Sequence, residues 1–399
     1  MSIRSRIALK ALESLDAGKL DLVFPNGNRK QFVGKTRTDS LTAEIVIHDL
    51  HAIDLAVSRG DIGFGEGYMQ GLWSTPNLSA LLGLFAANRE SMEKLIYGQW
   101  WATLWDQLRH LMRSNRKSQA KKNISAHYDL GNEFYRLFLD PTMTYSSALF
   151  DTQAQAGAMD LEAGQCRKID RALEQLRIDP ADPEARFLEI GCGWGGLANR
   201  LLDRTAGRYV GLTLSVEQQK WAREVLAPHG QDRVDIRLQD YRDIHEQFDG
   251  IVSIEMFEAV GEGYWDAYFK AVAHNLKPSG RAVIQTITID EGLFDRYRKS
   301  TDFIQQYIFP GGMLPSSSEF ERRAAGQGLA VEDAFYFGQD YAKTLAMWEK
   351  TFLGKQSVVQ SQGFSPEFCR MWQFYLSYCE AGFSEKNINV AQFTLHKTT

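Results

Sequence analysis

Ten residues, Phe187-Leu188-Glu189-Ile190-Gly191-Cys192-Gly193-Trp194-Gly195-Gly196, place three glycines at alternate positions directly after an apolar run. This is the pattern of a buried strand that enters a tight turn and then a helix. Without Cβ atoms at Gly191 and Gly193 the backbone can turn sharply and lie against a flat ligand. G-x-G-x-G also occurs in dinucleotide binders, although there G-x-G-x-x-G beside a pyrophosphate is expected. The residues downstream narrow the choice. Glu189 precedes the glycines, a second strand ends at Thr213 and Ser215 with Gln218 one turn into the next helix, and Asp240 and Tyr241 follow a third strand. Thr213, Ser215 and Gln218 can hold a ribose or an amino-acid tail, Asp240 can accept from an adenine amino group, and Tyr241 can pack on the base. Singly, each is more often a helix cap or a turn residue; in this order they describe an adenosyl pocket.

The elements that must carry these residues alternate. Strands are expected at Arg186–Gly191, Arg208–Leu214, Val234–Leu238, Phe248–Ile254 and Gly280–Ile289, with helices at Met159–Leu176, Gly195–Asp203, Val216–Leu226 and Trp265–Leu276. The rhythm predicts an α/β fold, a Rossmann-like doubly wound sheet of the class I methyltransferase kind, with its crevice at the carboxyl ends of the strands. The ligand of choice for such a crevice is S-adenosylmethionine. Strand-like runs at Leu329–Phe337 and Val390–His396 would complete the sheet, with helical sequence over Tyr341–Cys379 between them. A smaller N-terminal α/β domain is expected over 1–106, a basic linker over 107–122 and the methyltransferase domain over 123–399. Within the first of these, Gly60-Asp61-Ile62-Gly63-Phe64-Gly65-Glu66-Gly67-Tyr68 reads as a turn-rich stretch before a helix.

Composition narrows the function classes. A net charge of −5 over 399 residues exerts no global pull on nucleic acid, so contact with an anionic surface has to be local. One such region exists: Trp100, Trp101 and Trp105 precede Arg109, Arg113, Arg116, Lys117, Lys121 and Lys122, a pairing that suits a bilayer surface as well as it suits a solvated linker behind a packed helix. Cys166, Cys192, Cys369 and Cys379 lack metal-ligand spacing, so no metal site is expected, and Cys192 reads as a packing residue. No apolar run reaches the length of a signal peptide or a transmembrane helix, which points to the cytoplasm.

Four further motifs carry a family resemblance: His127-Tyr128-Asp129-Leu130-Gly131-Asn132, Met143-Thr144-Tyr145-Ser146-Ser147, Met256-Phe257-Glu258-Ala259-Val260-Gly261 and Tyr307-Ile308-Phe309-Pro310-Gly311-Gly312. The chain resembles the cyclopropane fatty-acid synthase family over almost its whole length. The resemblance implies methyl transfer from S-adenosylmethionine to the cis double bond of a phospholipid acyl chain, on the cytoplasmic face of the inner membrane, with a bound bicarbonate removing the proton whose loss closes the ring. By the same resemblance Tyr145 and Ser146 join the cofactor site, and Tyr145, Tyr307 and Phe309 offer aromatic faces to the cation. Glu258 anchors the bicarbonate together with Tyr341, Ser147 and Gln285, and His127 is structural. Two residues depart from the family pattern, Ser147 for a usual cysteine and Gln285 for a usual histidine. A glutamine is no base near neutral pH, so the proton would pass to bicarbonate or Glu258. The alternatives are a relative that ends in a methyl-branched unsaturated chain and a lipid-binding protein without catalysis. The two-domain layout leaves room for a homodimer.

Overall fold

The computed structural model describes residues 3–36, 41–91, 130–151 and 160–398. The indoles and basic run of 97–122 and His127-Tyr128-Asp129 lie outside them. The chain divides into two units.

The larger unit takes in the described residues from 130 to Asp295, Phe309–Thr344 and the chain from Ile388 onward. Its sheet holds β5 (Arg186–Ile190), β6 (Arg208–Thr213), β7 (Val234–Leu238), β8 (Phe248–Ile254), β9 (Leu276–Ile289), β10 (Leu329–Tyr336) and β11 (Ile388–Lys397), in the order β10-β11-β9-β8-β5-β6-β7. Strands β5 to β9 are mutually parallel; β11 runs against β9, and β10, antiparallel to β11, runs with the others at the edge. The short apolar strands are covered by helices, as a parallel sheet requires. Helix Leu161–Gln175 and the helix Gly196–Arg204 after β5 pack with β5 and β6 in one core of Ile169, Phe187, Leu197, Leu201 and Tyr209. This is the class I methyltransferase fold. The chain runs β5-β6-β7 one way and returns to continue β8-β9 the other way, so the ends of β5 and β8 flank the crevice where the strand order reverses. Strand β9 begins at Leu276 rather than Gly280 because the β8–β9 register slips between Phe248 and Gly250, which absorbs the extra residues.

The smaller unit is not the N-terminal segment alone. Besides the described residues up to 91 it includes Arg296–Ile308 and Leu345–Asn387, stretches that lie beyond the linker read over 107–122. The sheet β2-β1-β3-β4, built from β1 (Lys19–Val23), β2 (Arg29–Val33), β3 (Thr42–Ile47) and β4 (Trp73–Ser74), is joined by helix Leu78–Ala87, whose apolar face is covered by helix Pro366–Ser384. The glycine-rich stretch expected to turn is instead helical, the second half of helix His51–Met69 beyond a break at Gly60. Packing explains this: a Cβ on Gly65 would sit 2.5 Å from the Phe303 ring, and one on Gly67 3.0 Å from Trp73. Among the described residues no helix is long and apolar enough to cross a membrane.

Candidate active site

Gly191, Gly193 and Gly195 all have left-handed backbone, with φ of 86°, 51° and 90°. Only glycine takes these values without strain. The N–H groups of Gly191 and Cys192 both donate to the Leu212 carbonyl (3.0 and 2.9 Å), which ties the turn to the end of β6. A Cβ on Gly193 would meet nothing within 4 Å, so the turn presents bare backbone to open space, as a cofactor cradle must. Trp194 Nε1 donates to Asn132 Oδ1 (2.7 Å), which fastens the second end of the turn.

The expected polar residues cluster here but are mostly joined to one another. Ser215 caps helix Val216–Leu226, with its hydroxyl accepting from the Gln218 N–H (3.3 Å), and the Thr213 hydroxyl donates to Gln218 Oε1 (2.8 Å). Asp240 takes two hydrogen bonds from the Arg242 guanidinium (2.8 and 2.6 Å), and Tyr241 lies edge-on to Tyr268. Glu189 points into the core, where it accepts from the Tyr209 hydroxyl, and burial pushes its carboxyl up to about 7. It props the turn from behind rather than facing a ligand. The bare glycine backbone and these polar groups at successive strand ends fit S-adenosylmethionine, which supplies an electrophilic methyl when bound.

Across the crevice, at the end of β8, the chain bends at Glu255 into the turn Phe257–Ala259. Glu255 has a φ of 49°, a left-handed conformation that costs a residue with a Cβ about 1–2 kcal/mol. Its carboxylate collects three donors from distant parts of the chain. The Ser147 N–H (2.9 Å) and Gln285 Nε2 (2.6 Å) donate to Oε1, and the Tyr341 hydroxyl (2.5 Å) donates to Oε2. Each donor is itself fixed. The N–H groups of Ala148 and Phe150, which follow Ser147, donate to Thr344 and Asp340 at the start of the Tyr341 helix (both 3.1 Å). Gln285 faces Gln392 across the β9–β11 ladder and accepts from its Nε2 (3.0 Å), which turns the Gln285 amine toward Glu255.

Glu258 stands differently. Its Oε1 accepts from the Ile287 N–H, while Oε2 is buried without a hydrogen-bond partner among the described residues. Burial, reinforced by the neighbouring Glu255 charge, pushes Glu258 up to about 8. Burial raises Glu255 too, but its three donors and the Lys168 ammonium oppose the rise. The two carboxyls thus differ in support: three donors and an ammonium favour the charged form at Glu255, while Glu258 has one N–H to set against its burial. Lys168 is fully buried, donates to the Ser146 hydroxyl (2.6 Å) and is pushed down to about 8 by that burial.

Residues 115–393 match the family described as mycolic acid cyclopropane synthetase. The chain belongs to that family. It is 39% identical to a tuberculostearic acid methyltransferase of Mycobacterium tuberculosis, over 90% of this chain and 84% of the relative. It is 35% identical to the cyclopropane-fatty-acyl-phospholipid synthase of Escherichia coli, over 88% of this chain and 87% of that one. Among solved structures, a mycolic acid cyclopropane synthase complexed with SAH and CTAB superposes with a TM-score of 0.64 at 33% identity, covering 69% of this chain and 98% of the other. A coclaurine N-methyltransferase at 16% identity and a TM-score of 0.63 shares the fold. This cyclopropane synthetase family member is an S-adenosylmethionine-dependent methyltransferase.

Against the family pattern, Ser147, Gln285 and Tyr341 meet as expected, but around Glu255 rather than Glu258. Ser147 contributes its backbone N–H, since its hydroxyl donates to the Ala148 carbonyl (2.9 Å). Tyr307 falls in the smaller unit, where its hydroxyl donates to Glu66 (2.5 Å), so it is not part of this cluster. Tyr145 packs beside Tyr135. The residues present do not fit a bicarbonate in the expected nest, because its donors end on a carboxylate of the chain itself. Glu255 and Lys168 were missed from the sequence. The one signal for Glu255 was its position, a charged residue directly after a buried strand in a crevice-forming register.

Proposed function

We propose that this enzyme adds a methyl group to the cis double bond of an unsaturated acyl chain in a phospholipid and closes it to a cyclopropane. The observation that carries the reading is the proximity of the two halves of the site. A Cβ on Gly191, in the cofactor turn, would lie 2.9 Å from Met256, the residue between Glu255 and Phe257. A methyl donor in the glycine turn thus neighbours a half-buried carboxylate pair. An isolated alkene attacks a methyl electrophile weakly and leaves a cation on carbon, which aromatic walls stabilise without capturing it and water would destroy. Tyr145 and, from the family resemblance, Phe309 are the faces in question. Loss of one proton then completes the ring.

A second reading, a methyl-branched unsaturated product, is favoured by the similarity to a relative named as a methyltransferase rather than a cyclopropane synthase. One experiment separates them. Purified enzyme, S-adenosylmethionine and vesicles of dioleoyl phospholipid should yield an acyl chain heavier by one methylene. Proton spectra of that lipid should show the upfield signals of a cyclopropane methylene; vinyl signals in their place would establish the branched product, and unaltered lipid would refute both. The proposal has the enzyme working at the bilayer surface, attached peripherally to the cytoplasmic face of the inner membrane. Co-sedimentation with anionic vesicles at low but not high salt tests that part.

A further inference from the structure

We propose that Glu255 is the group that accepts the ring-closing proton, so that the chain supplies through its own side chain the anion that the family pattern would recruit from solution. The inference rests on the methyl-transfer reading of the site and adds the identity of the base.

Three observations converge on Glu255. The first is the donor set: the Ser147 N–H, the Gln285 amine and the Tyr341 hydroxyl form a nest for one planar anion, and the anion in it is Glu255. A carboxylate can accept about four hydrogen bonds. Oε1 has two and Oε2 has one, which leaves a lone pair on Oε2 to take a proton. The second is backbone conformation. At a φ of 49° glycine would be free of strain, yet the position holds a glutamate whose carboxylate is gripped by residues from three separate segments. Strain retained at a residue aimed into a crevice marks a working position rather than a packing one. The third is the neighbouring acid. Glu258 has a single N–H on Oε1 and no partner on Oε2 among the described residues, so burial holds it above the usual carboxylate range, whereas three donors and the Lys168 ammonium favour the charged form at Glu255.

The step balances without a further reactant. The alkene electron pair becomes the bond to the incoming methyl as the bond from that methyl to the sulfonium sulfur breaks; its electron pair leaves with S-adenosylhomocysteine, and positive charge remains on the adjacent alkene carbon. One C–H bond of that methyl then breaks; its electron pair forms the third side of the ring, and its proton goes to Oε2 of Glu255. Nothing is oxidised or reduced, and Glu255 returns its proton to water as the product leaves.

The test uses the full-length enzyme with S-adenosylmethionine and dioleoyl phospholipid vesicles, in buffer stripped of carbon dioxide and in the same buffer with bicarbonate restored. Wild-type turnover should agree within about twofold between the two buffers. Glu255→Gln should lower turnover about 10²- to 10⁴-fold, the range set by loss of a general base, while calorimetry shows S-adenosylmethionine binding retained. Glu255→Gly relieves the left-handed backbone and empties the nest, so its turnover should become dependent on added bicarbonate. A wild-type enzyme that loses tenfold or more without bicarbonate overturns the assignment, as does a Glu255→Gln or Glu255→Gly enzyme that keeps turnover within tenfold in stripped buffer. Absence of methylated lipid from the wild type in both buffers overturns the methyl-transfer reading along with it, whereas the preceding outcomes overturn the base alone.

Discussion

Glu258 is a buried acid whose proton is held up to about 8, against 4.5 for the free side chain. Between those values the folded protein keeps a proton that the unfolded chain has released, so stability falls as pH rises through the interval, by at most ~1.4 kcal/mol per pH unit for one group. Glu189 and Asp302, both held up to about 7, act with the same sign. Lys168 enters only above about 8, where its charge is lost in the fold first. Glu258→Gln, which is neutral at every pH, should therefore flatten the fall in melting temperature between about pH 5 and 8 without abolishing it. Replacing Lys168 acts on the rate instead. Its ammonium favours the ionised form of Glu255, so Lys168→Met should move the acid limb of the pH–rate profile to higher pH; a limb that stays in place would detach the lysine from the carboxylate. At this scale Ser147, Gln285 and Tyr341 were legible because the family resemblance names each of those positions. Glu255 was not, since its role comes from a left-handed φ and three donors more than thirty residues apart or nearly so. Lys168 was hidden for a related reason: a lysine in the amphipathic helix Leu161–Gln175 reads as solvated, and only packing shows that it lies on the buried face with Ile169 and Ala172.

Elements differ in how far they announce themselves. Strands β7 and β8 and helix Val216–Leu226 match the pattern read from the sequence residue for residue, because short apolar strands alternating with capped helices carry their period locally. Helix His51–Met69 does not. Its second half holds Gly63, Gly65 and Gly67, which propensity reads as a break, and the helix is stable because neighbours press against those bare positions. Gly65→Ala puts its methyl 2.5 Å from the Phe303 ring, which itself packs on Phe374 with ring centroids 4.5 Å apart. Higher helix propensity would stabilise an exposed helix by ~1 kcal/mol, but here overpacking should win, with a net loss of about 1–3 kcal/mol. Chemical denaturation should show the midpoint falling at constant slope; a rise in midpoint would mean that the ring yields without strain.

The whole chain is not two beads on a string, since the smaller unit is assembled from three stretches separated by parts of the larger one. Helix Leu78–Ala87 is nearly all apolar, with Leu81 and Leu84 wholly buried, and helix Pro366–Ser384 buries Trp372, Phe374 and Leu376 in the same unit. Polar contacts fix the seam: Ser79 donates to Glu380 (2.7 Å), Tyr68 to Gln373 (2.8 Å), and the Arg370 guanidinium to the Met69 carbonyl (2.7 Å). A fragment of residues 1–112 lacks the second helix and leaves the first with an apolar face in water, a surface that isolated domains do not sustain. It should express as an aggregate or show a collapsed spectrum without dispersed amide resonances. Adding residues 345–387 through a designed linker should recover dispersion, because the missing cover is then supplied from the same chain. A fragment 1–112 that is monomeric and well dispersed by itself would show that the N-terminal segment closes its own core, and the division near residue 106 read from the sequence would stand after all.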